Sequence, residues 1–182
     1  MGSDRHYIAE LRREFARFLE SGGKVHTFRL ASAPGTLIRD IYSVIFPGIR
    51  FPLFYARFTI ARMAERIDLS VLKVPLYRLI GVRIGRGVFI AADVIIDPHF
   101  PELIEIGDYA IIGWGAKLFT HEWFDNTYRA GRITIGPGAM IGAYTVVRGG
   151  VEVGAGAKIG AMSIVHKDVP AGGKVINRSV LQ

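Results

Sequence analysis

Cysteine is absent from the 182 residues, which excludes disulfides, a thiolate zinc site and a cysteine nucleophile. That absence fits a reducing cytoplasm. No apolar stretch reaches the ~20 uncharged residues that a helix needs to cross a bilayer. The opening segment, MGSDRHYIAELRREF, has no apolar core of the secretory kind. Met1-Gly2 resembles a myristoylation start, but the sixth residue is His6 where Ser or Thr is required. Long Lys/Arg runs are lacking too, so nucleic acid is not the expected partner despite a net charge of +7.

What the chain does have is a period of six. From Ile135 an aliphatic residue returns as Ile141, Val147, Val153, Ile159 and Val165. Gly136, Gly142, Gly154 and Gly160 follow four of them directly. Four residues after each stands a small or β-branched side chain: Ala139, Thr145, Val151, Ala157, Ser163 and Val169. The register extends upstream through Ile84, Ile90, Ile96, Ile106, Ile112 and Leu118. A strict hexapeptide period is neither helical nor that of a long strand; it marks a parallel β-helix. Each hexapeptide supplies one short strand and one corner, so three make a triangular coil. The aliphatic residues stack inward, the small ones fit a narrow interior, and glycine is expected to supply backbone angles that other residues avoid. About four coils result, a prism roughly 19 Å tall at a strand spacing of ~4.8 Å. The fold expected is mainly β, with an N-terminal helical arm.

Insertions in such a solenoid fall at corners and commonly build the site. The gap from Leu118 to Ile135 leaves room for an inserted loop at 120–134. Residues 81–182 read as the prism domain, and residues 1–80 as a basic, apolar-rich arm. The arm carries 13 Lys/Arg against 7 Asp/Glu; the rest of the chain carries 10 against 9. In the arm Ile8, Leu11, Phe15, Phe18 and Leu19 recur at helical spacing until Ser21-Gly22-Gly23, which predicts an amphipathic helix over residues 5–20. Apolar stretches follow from Leu37 to Phe46 and from Phe51 to Met63. Two uses are open. The arm can pack on the prism, covering the open strand edge of the first coil, or it can rest on an anionic membrane surface. The expected location is cytoplasmic, with peripheral contact at the inner membrane face under the second use.

Thr120-His121 stands just before the insertion, and Ile159-Gly-Ala-Met-Ser-Ile-Val-His-Lys-Asp-Val-Pro170 closes the repeats. With the hexapeptides, these motifs resemble the hexapeptide acyltransferases, the left-handed β-helix family that includes the maltose and galactoside O-acetyltransferases. The resemblance covers roughly Leu76 to Arg178. The left hand, which runs against the usual crossover preference, is implied by it. So are acetyl-CoA as cosubstrate, a homotrimer with the coenzyme in a cleft between subunits, and no metal. His121 is then the general base. Asp97 matches an acidic residue on the acceptor side, with Glu122 and Trp123 beside it; Glu122 or Asp125 could instead orient the imidazole. Backbone at Gly142, Ala143, Gly160 and Ala161 would meet the pantetheine, with His166, Lys167 and Arg178 toward the phosphates.

The chemistry agrees. Acyl transfer from a thioester to a hydroxyl needs a base that is largely neutral near pH 7, and imidazole, at about 6.5, suits. No nucleophilic side chain is needed. The expected activity is transfer of an acetyl or other acyl group to a hydroxyl of a sugar, polysaccharide or lipid-linked saccharide. The alternative is a non-catalytic scaffold or membrane-associated assembly module that does not bind coenzyme A. A γ-class carbonic anhydrase on the same prism would need two histidines five residues apart, and no pair has that spacing. Three departures from the family pattern concern the ligands. Met140 stands where many relatives carry a coenzyme-contacting Trp, His166 replaces a usual Thr, and Ala91-Ala92 replace an Asn that touches the sugar.

Overall fold

The computed structural model describes residues 2–29, 50–124 and 127–176. Its body is a three-faced parallel β-helix. One face stacks β2 (Arg83–Ile84), β5 (Ile104–Ile106), β10 (Ile133–Ile135) and β13 (Val151–Val153). The second stacks β3 (Phe89–Ile90), β6 (Ile111–Ile112), β11 (Met140–Ile141), β14 (Lys158–Ile159) and β16 (Lys174–Val175). The third stacks β4 (Ile95–Ile96), β7 (Lys117–Phe119), β12 (Val146–Arg148) and β15 (Ile164–Val165). Four complete coils and the start of a fifth result. Of the twelve aliphatic positions in the six-residue register, eleven are buried, and Ile84 of the first coil is half-buried. Register pairs Ile96 with Leu118, Leu118 with Val147, and Val147 with Val165. Burying each such side chain contributes roughly 1.5–3 kcal/mol, and the stacking makes one continuous column.

The glycines beside these aliphatic residues have a different reason from the one expected. None of Gly85, Gly107, Gly113, Gly136, Gly142 or Gly154 has positive φ; that conformation falls two residues later, at Gly87, Tyr109, Gly115, Gly138, Tyr144 and Gly156. A Cβ at Gly142 would instead lie 2.5 Å from the Ala161 nitrogen and 2.6 Å from the Gly160 carbonyl carbon, in the next coil. Coil-on-coil approach of backbone demands the glycine. Gly156, by contrast, has φ +65° and open space around a Cβ. Gly142→Ala is therefore expected to destabilise by about 1–3 kcal/mol, as overpacking does. Gly156→Ala should lose only the left-handed backbone penalty, about 1 kcal/mol. Urea unfolding of both variants checks this; equal losses would mean that backbone angle governs both sites.

The arm contains α1 (Gly2–Glu20), β1 (Val25–Arg29), α2 (Arg50–Arg66) and α3 (Ser70–Ile80). Helix α1 includes the expected residues 5–20. The Leu37–Phe46 stretch lies outside the described residues. Pro52, placed in the first turn of α2, does not interrupt that helix, because first-turn N–H groups have no intrahelical partner anyway. Helix α3 has no counterpart among the sequence expectations; Pro75 within it masks the helical pattern. It answers the open-edge problem of the first coil. Ser70 Oγ accepts from the Ile90 N–H at 2.9 Å, Lys73 Nζ donates to the Ala91 carbonyl at 2.6 Å, and Tyr77 OH donates to the Val94 carbonyl at 2.8 Å. Burial lowers the Lys73 pKa against the opposing charges of Asp68, Asp93 and Glu65. Burial also pushes the Tyr77 phenol up, with Glu65 adding to it.

The expected loop is a hairpin. β8 (His121–Phe124) and β9 (Thr127–Gly131) pair antiparallel, and β1 adds to the free edge of β9. Helix α1 packs its apolar face there: Phe15, Phe18, Phe28, Phe100, Leu103, Tyr128 and Ala130 form a second core, with Leu11 and Leu19 against it. Arg132 donates to the carbonyls of Leu19 and Gly23, closing the C-terminal end of α1. Leu11, Phe15, Phe18 and Leu19 of α1 are thus engaged inside the chain. Among the described residues no helix is long and apolar enough to cross a membrane.

Candidate active site

Where the third face turns toward the first, the second coil extends into the hairpin. His121 is the first residue of β8, and Asp97 follows β4 one coil earlier. The parallel register that pairs Ile96 with Leu118 brings these two together although they are 24 residues apart. Asp97 is 1% exposed. Its Oδ2 accepts from the Thr120 N–H (3.0 Å), Thr120 Oγ1 (2.5 Å) and His121 Nδ1 (2.6 Å). Its Oδ1 accepts from the His99 N–H (3.0 Å) and His99 Nδ1 (3.1 Å). Burial alone would push this carboxyl up. The bonds from His121 and His99, the His121 charge and the Thr120 bond outweigh it and hold Asp97 far below the usual carboxylate range.

An ionised carboxylate only accepts, so Nδ1 of His121 carries the hydrogen and Nε2 is left as the basic atom of the neutral ring. The ring is held on its sides as well. Tyr128 lies stacked at 5.7 Å, Phe100 edge-on at 5.7 Å, and His99 edge-on at 4.6 Å. Phe54 of α2 packs on His99 at 5.3 Å, so the arm touches the cluster around Asp97. Asp97, His99 and His121 together have the composition of a metal centre, and one ligand atom of each lies within 4.8 Å of the others. Both Nδ1 atoms, however, face the carboxylate, which uses them as donors.

Asp97, expected on the acceptor side, lies buried beneath His121 with five donors on its carboxylate. Glu122, the other candidate for orienting the imidazole, points to two guanidiniums instead: Arg129 Nη1 at 3.1 Å, and Arg148 through Nε at 3.0 Å and Nη2. Burial pushes its carboxyl up, and the bonds and charges of Arg148 and Arg129 override that and lower it. Asp125 lies outside the described residues. Trp123 is partly exposed opposite Tyr128. Beside His121 a cleft of about 200 Å³ opens between the hairpin and the third face, lined by Phe119, Glu122, Arg129, Val146 and Arg148. Arg129 and Arg148 had no place in the sequence reading. The six-residue pattern marks Arg148 only as an outward position, and nothing local links it to Glu122.

The expected coenzyme residues occupy two corners. Gly142-Ala143 and Gly160-Ala161 stack on successive coils between the second and third faces. Coil-on-coil stacking brings them this close. His166 and Lys167 are exposed after β15, two coils or roughly 10 Å from Phe119 by strand spacing. Arg178 lies outside the described residues.

The triangular prism thus carries a carboxylate-held histidine at its inserted corner. The bacterial transferase hexapeptide (six repeats) family matches residues 132–167. The protein named "Putative acetyltransferase YvoF" of Bacillus subtilis (strain 168) is 34% identical over 132 residues, covering 72% of this chain and 77% of that one. Two solved structures share the fold: a maltose O-acetyltransferase from Clostridium difficile 630 (TM-score 0.55, 17% identity, 69% of this chain and 81% of that one), and a hexapeptide-repeat acetyltransferase from Vibrio cholerae O1 biovar eltor complexed with acetyl coenzyme A (0.55, 18%, 70% and 84%). The chain belongs to the hexapeptide-repeat acetyltransferases, and its prism is their left-handed parallel β-helix.

Proposed function

We propose that this chain moves an acetyl group from acetyl-CoA to a hydroxyl of a saccharide, free, polymeric or lipid-linked, with His121 as general base. The observation that carries this reading is the Asp97–His121 pair, which leaves Nε2 as the basic atom of the His121 ring, in a residue that lines the cleft. The coenzyme supplies the acyl group as a thioester. The acceptor hydroxyl yields its proton to His121 Nε2 as its oxygen bonds to the acyl carbon. The same proton then returns to the departing sulfur, so His121 ends as it began. Imidazolium formed midway is neutralised by Asp97 at 2.6 Å, in a site where low dielectric makes that pairing effective. Phe100, Tyr128 and His99 hold the ring in place, which keeps the proton transfer short.

We further infer a homotrimer, in which Gly142-Ala143, Gly160-Ala161 and the exposed His166 and Lys167 of one copy meet the cleft of the next. A cytoplasmic setting accompanies this reading. Because Phe15 and Phe18 of α1 are buried, peripheral membrane contact would rest on α2 and α3, where Leu53, Met63, Val71, Leu72 and Leu79 are exposed, with Leu69 exposed between the two helices. Sedimentation velocity in the presence of acetyl-CoA tests the proposal. The expected species is three times 20.1 kDa and carries the coenzyme's ultraviolet absorbance. Protein that sediments without coenzyme would favour the scaffold reading. A monomer that binds coenzyme and turns over would sink the shared cleft.

A further inference from the structure

The cleft beside His121 carries a charge that acetyl transfer to a neutral sugar does not require. Glu122 and Arg129 face each other across the hairpin, and Arg148 reaches the same carboxylate from the third face. Among the lining side chains, two guanidiniums stand against the one carboxylate of Glu122, while the charge of Asp97 is buried beneath His121. Glu122 engages only part of the donor set. A guanidinium has five N–H groups; Arg148 uses Nε and Nη2 on Glu122, and Arg129 uses Nη1. The remaining N–H groups have no bond among the described residues. Arg129 and Arg148 keep 29% and 41% of their side chains exposed, so those donors are within reach of a ligand. Glu122 bridges both cations, which holds them against their mutual repulsion and fixes the direction of their free edges. Phe119 and Val146 add apolar surface to a lining completed by Thr120, His121 and Gly149, and apolar surface strengthens whatever charge pairing occurs beside it.

We propose that Arg148 and Arg129 bind a carboxylate or phosphate of the acceptor, so that the hydroxyl acetylated through His121 belongs to an anionic molecule, such as an acid-bearing or phosphorylated sugar unit. This rests on the transferase reading above. Guanidinium forks match both anions with paired hydrogen bonds. About 200 Å³ corresponds to roughly seven water volumes at ~30 Å³ each, which suits one sugar acid or small hydroxy acid. It is too small for the body of a coenzyme.

The test is calorimetric titration of the full chain with D-galacturonate, D-glycerate, inorganic phosphate, neutral D-galactose and acetyl-CoA. Galacturonate and glycerate report carboxylate recognition, and phosphate reports the other source. At least one anion is expected to bind ten times or more tightly than galactose, and more weakly as salt rises. Arg148→Gln should reduce that anion's affinity at least tenfold while acetyl-CoA affinity stays within about twofold of the parent, a difference that separates uniform loss from loss of one contact. Arg129→Gln, on the hairpin, gives the same result by an independent route if Arg148→Gln misfolds. Galactose binding as tightly as the anions, or no anion binding, overturns the proposal. So does a parallel loss of acetyl-CoA and anion affinity in Arg148→Gln, which would assign the charge to the coenzyme. Wild-type protein that fails to bind acetyl-CoA defeats the transferase reading instead, and is read from a separate titration.

Discussion

Replacing His121 by Ala is expected to lower turnover roughly 10²–10⁴-fold, the usual contribution of a positioned acid–base group. That range equals about 2.7–5.4 kcal/mol of barrier. The loss should fall on kcat, with acetyl-CoA affinity nearly intact, because the imidazole contributes to the proton transfer and not to coenzyme binding. The variant also removes one of the five donors on Asp97, yet Thr120 and His99 keep four, so the carboxylate remains held and the fold should persist. Thiol release from acetyl-CoA with a saccharide that the wild-type protein acetylates is the measurement. Full turnover in His121→Ala would end the assignment of the base.

Asp97→Asn is expected to produce an activity loss of the same order by a different route. The amide places an N–H donor where a pure acceptor stood. If that donor faces His121, Nδ1 must accept, the hydrogen moves to Nε2, and the ring can no longer take a proton from the acceptor. A wrong-tautomer defect of this kind is worth up to ~10⁴-fold in a serine protease triad. Stability supplies a readout of its own. Asp97 has a folded-state pKa far below its usual value. Its contribution to stability is therefore present above the ordinary carboxylate range and disappears as pH falls from about 4 downward. Wild-type protein should lose stability over that acid range through this group, and Asp97→Asn should lack that component while starting from a lower plateau. Urea midpoints from pH 7 to pH 3, together with kcat and acetyl-CoA affinity at pH 7, check both halves. An Asn variant with unchanged kcat would show that Asp97 merely fills space.

The prism and the histidine were legible because both are local signals. A six-residue period writes one coil's needs into each repeat, and the corner insertion after Leu118 is a break in that period. The first arm helix was legible for the same reason, since Phe15, Phe18 and Leu19 lie on one face of a single segment. Helix α3 was not, because Pro75 interrupts its pattern and its role is to satisfy backbone groups of the first coil, a need invisible until that coil exists. Strand β1 was hidden likewise: Val25–Arg29 becomes a strand by pairing with β9, about a hundred residues away.

The amino-acid order by itself determined a stack of triangular coils, a histidine at its inserted corner and a basic arm, because periodicity and corner residues act within one turn of chain. Only the tertiary structure decided what that histidine rests on. Stacking set Asp97 under Thr120 and His121, 23 and 24 positions along, and aimed Glu122 at Arg148, 26 positions along. It also decided why the glycines are there. Those contacts run between coils, perpendicular to the chain, and their register depends on how many residues each corner holds. The four extra residues between Ile96 and Ile106 and the insertion at 120–134 alter that number, so no local pattern could have carried it.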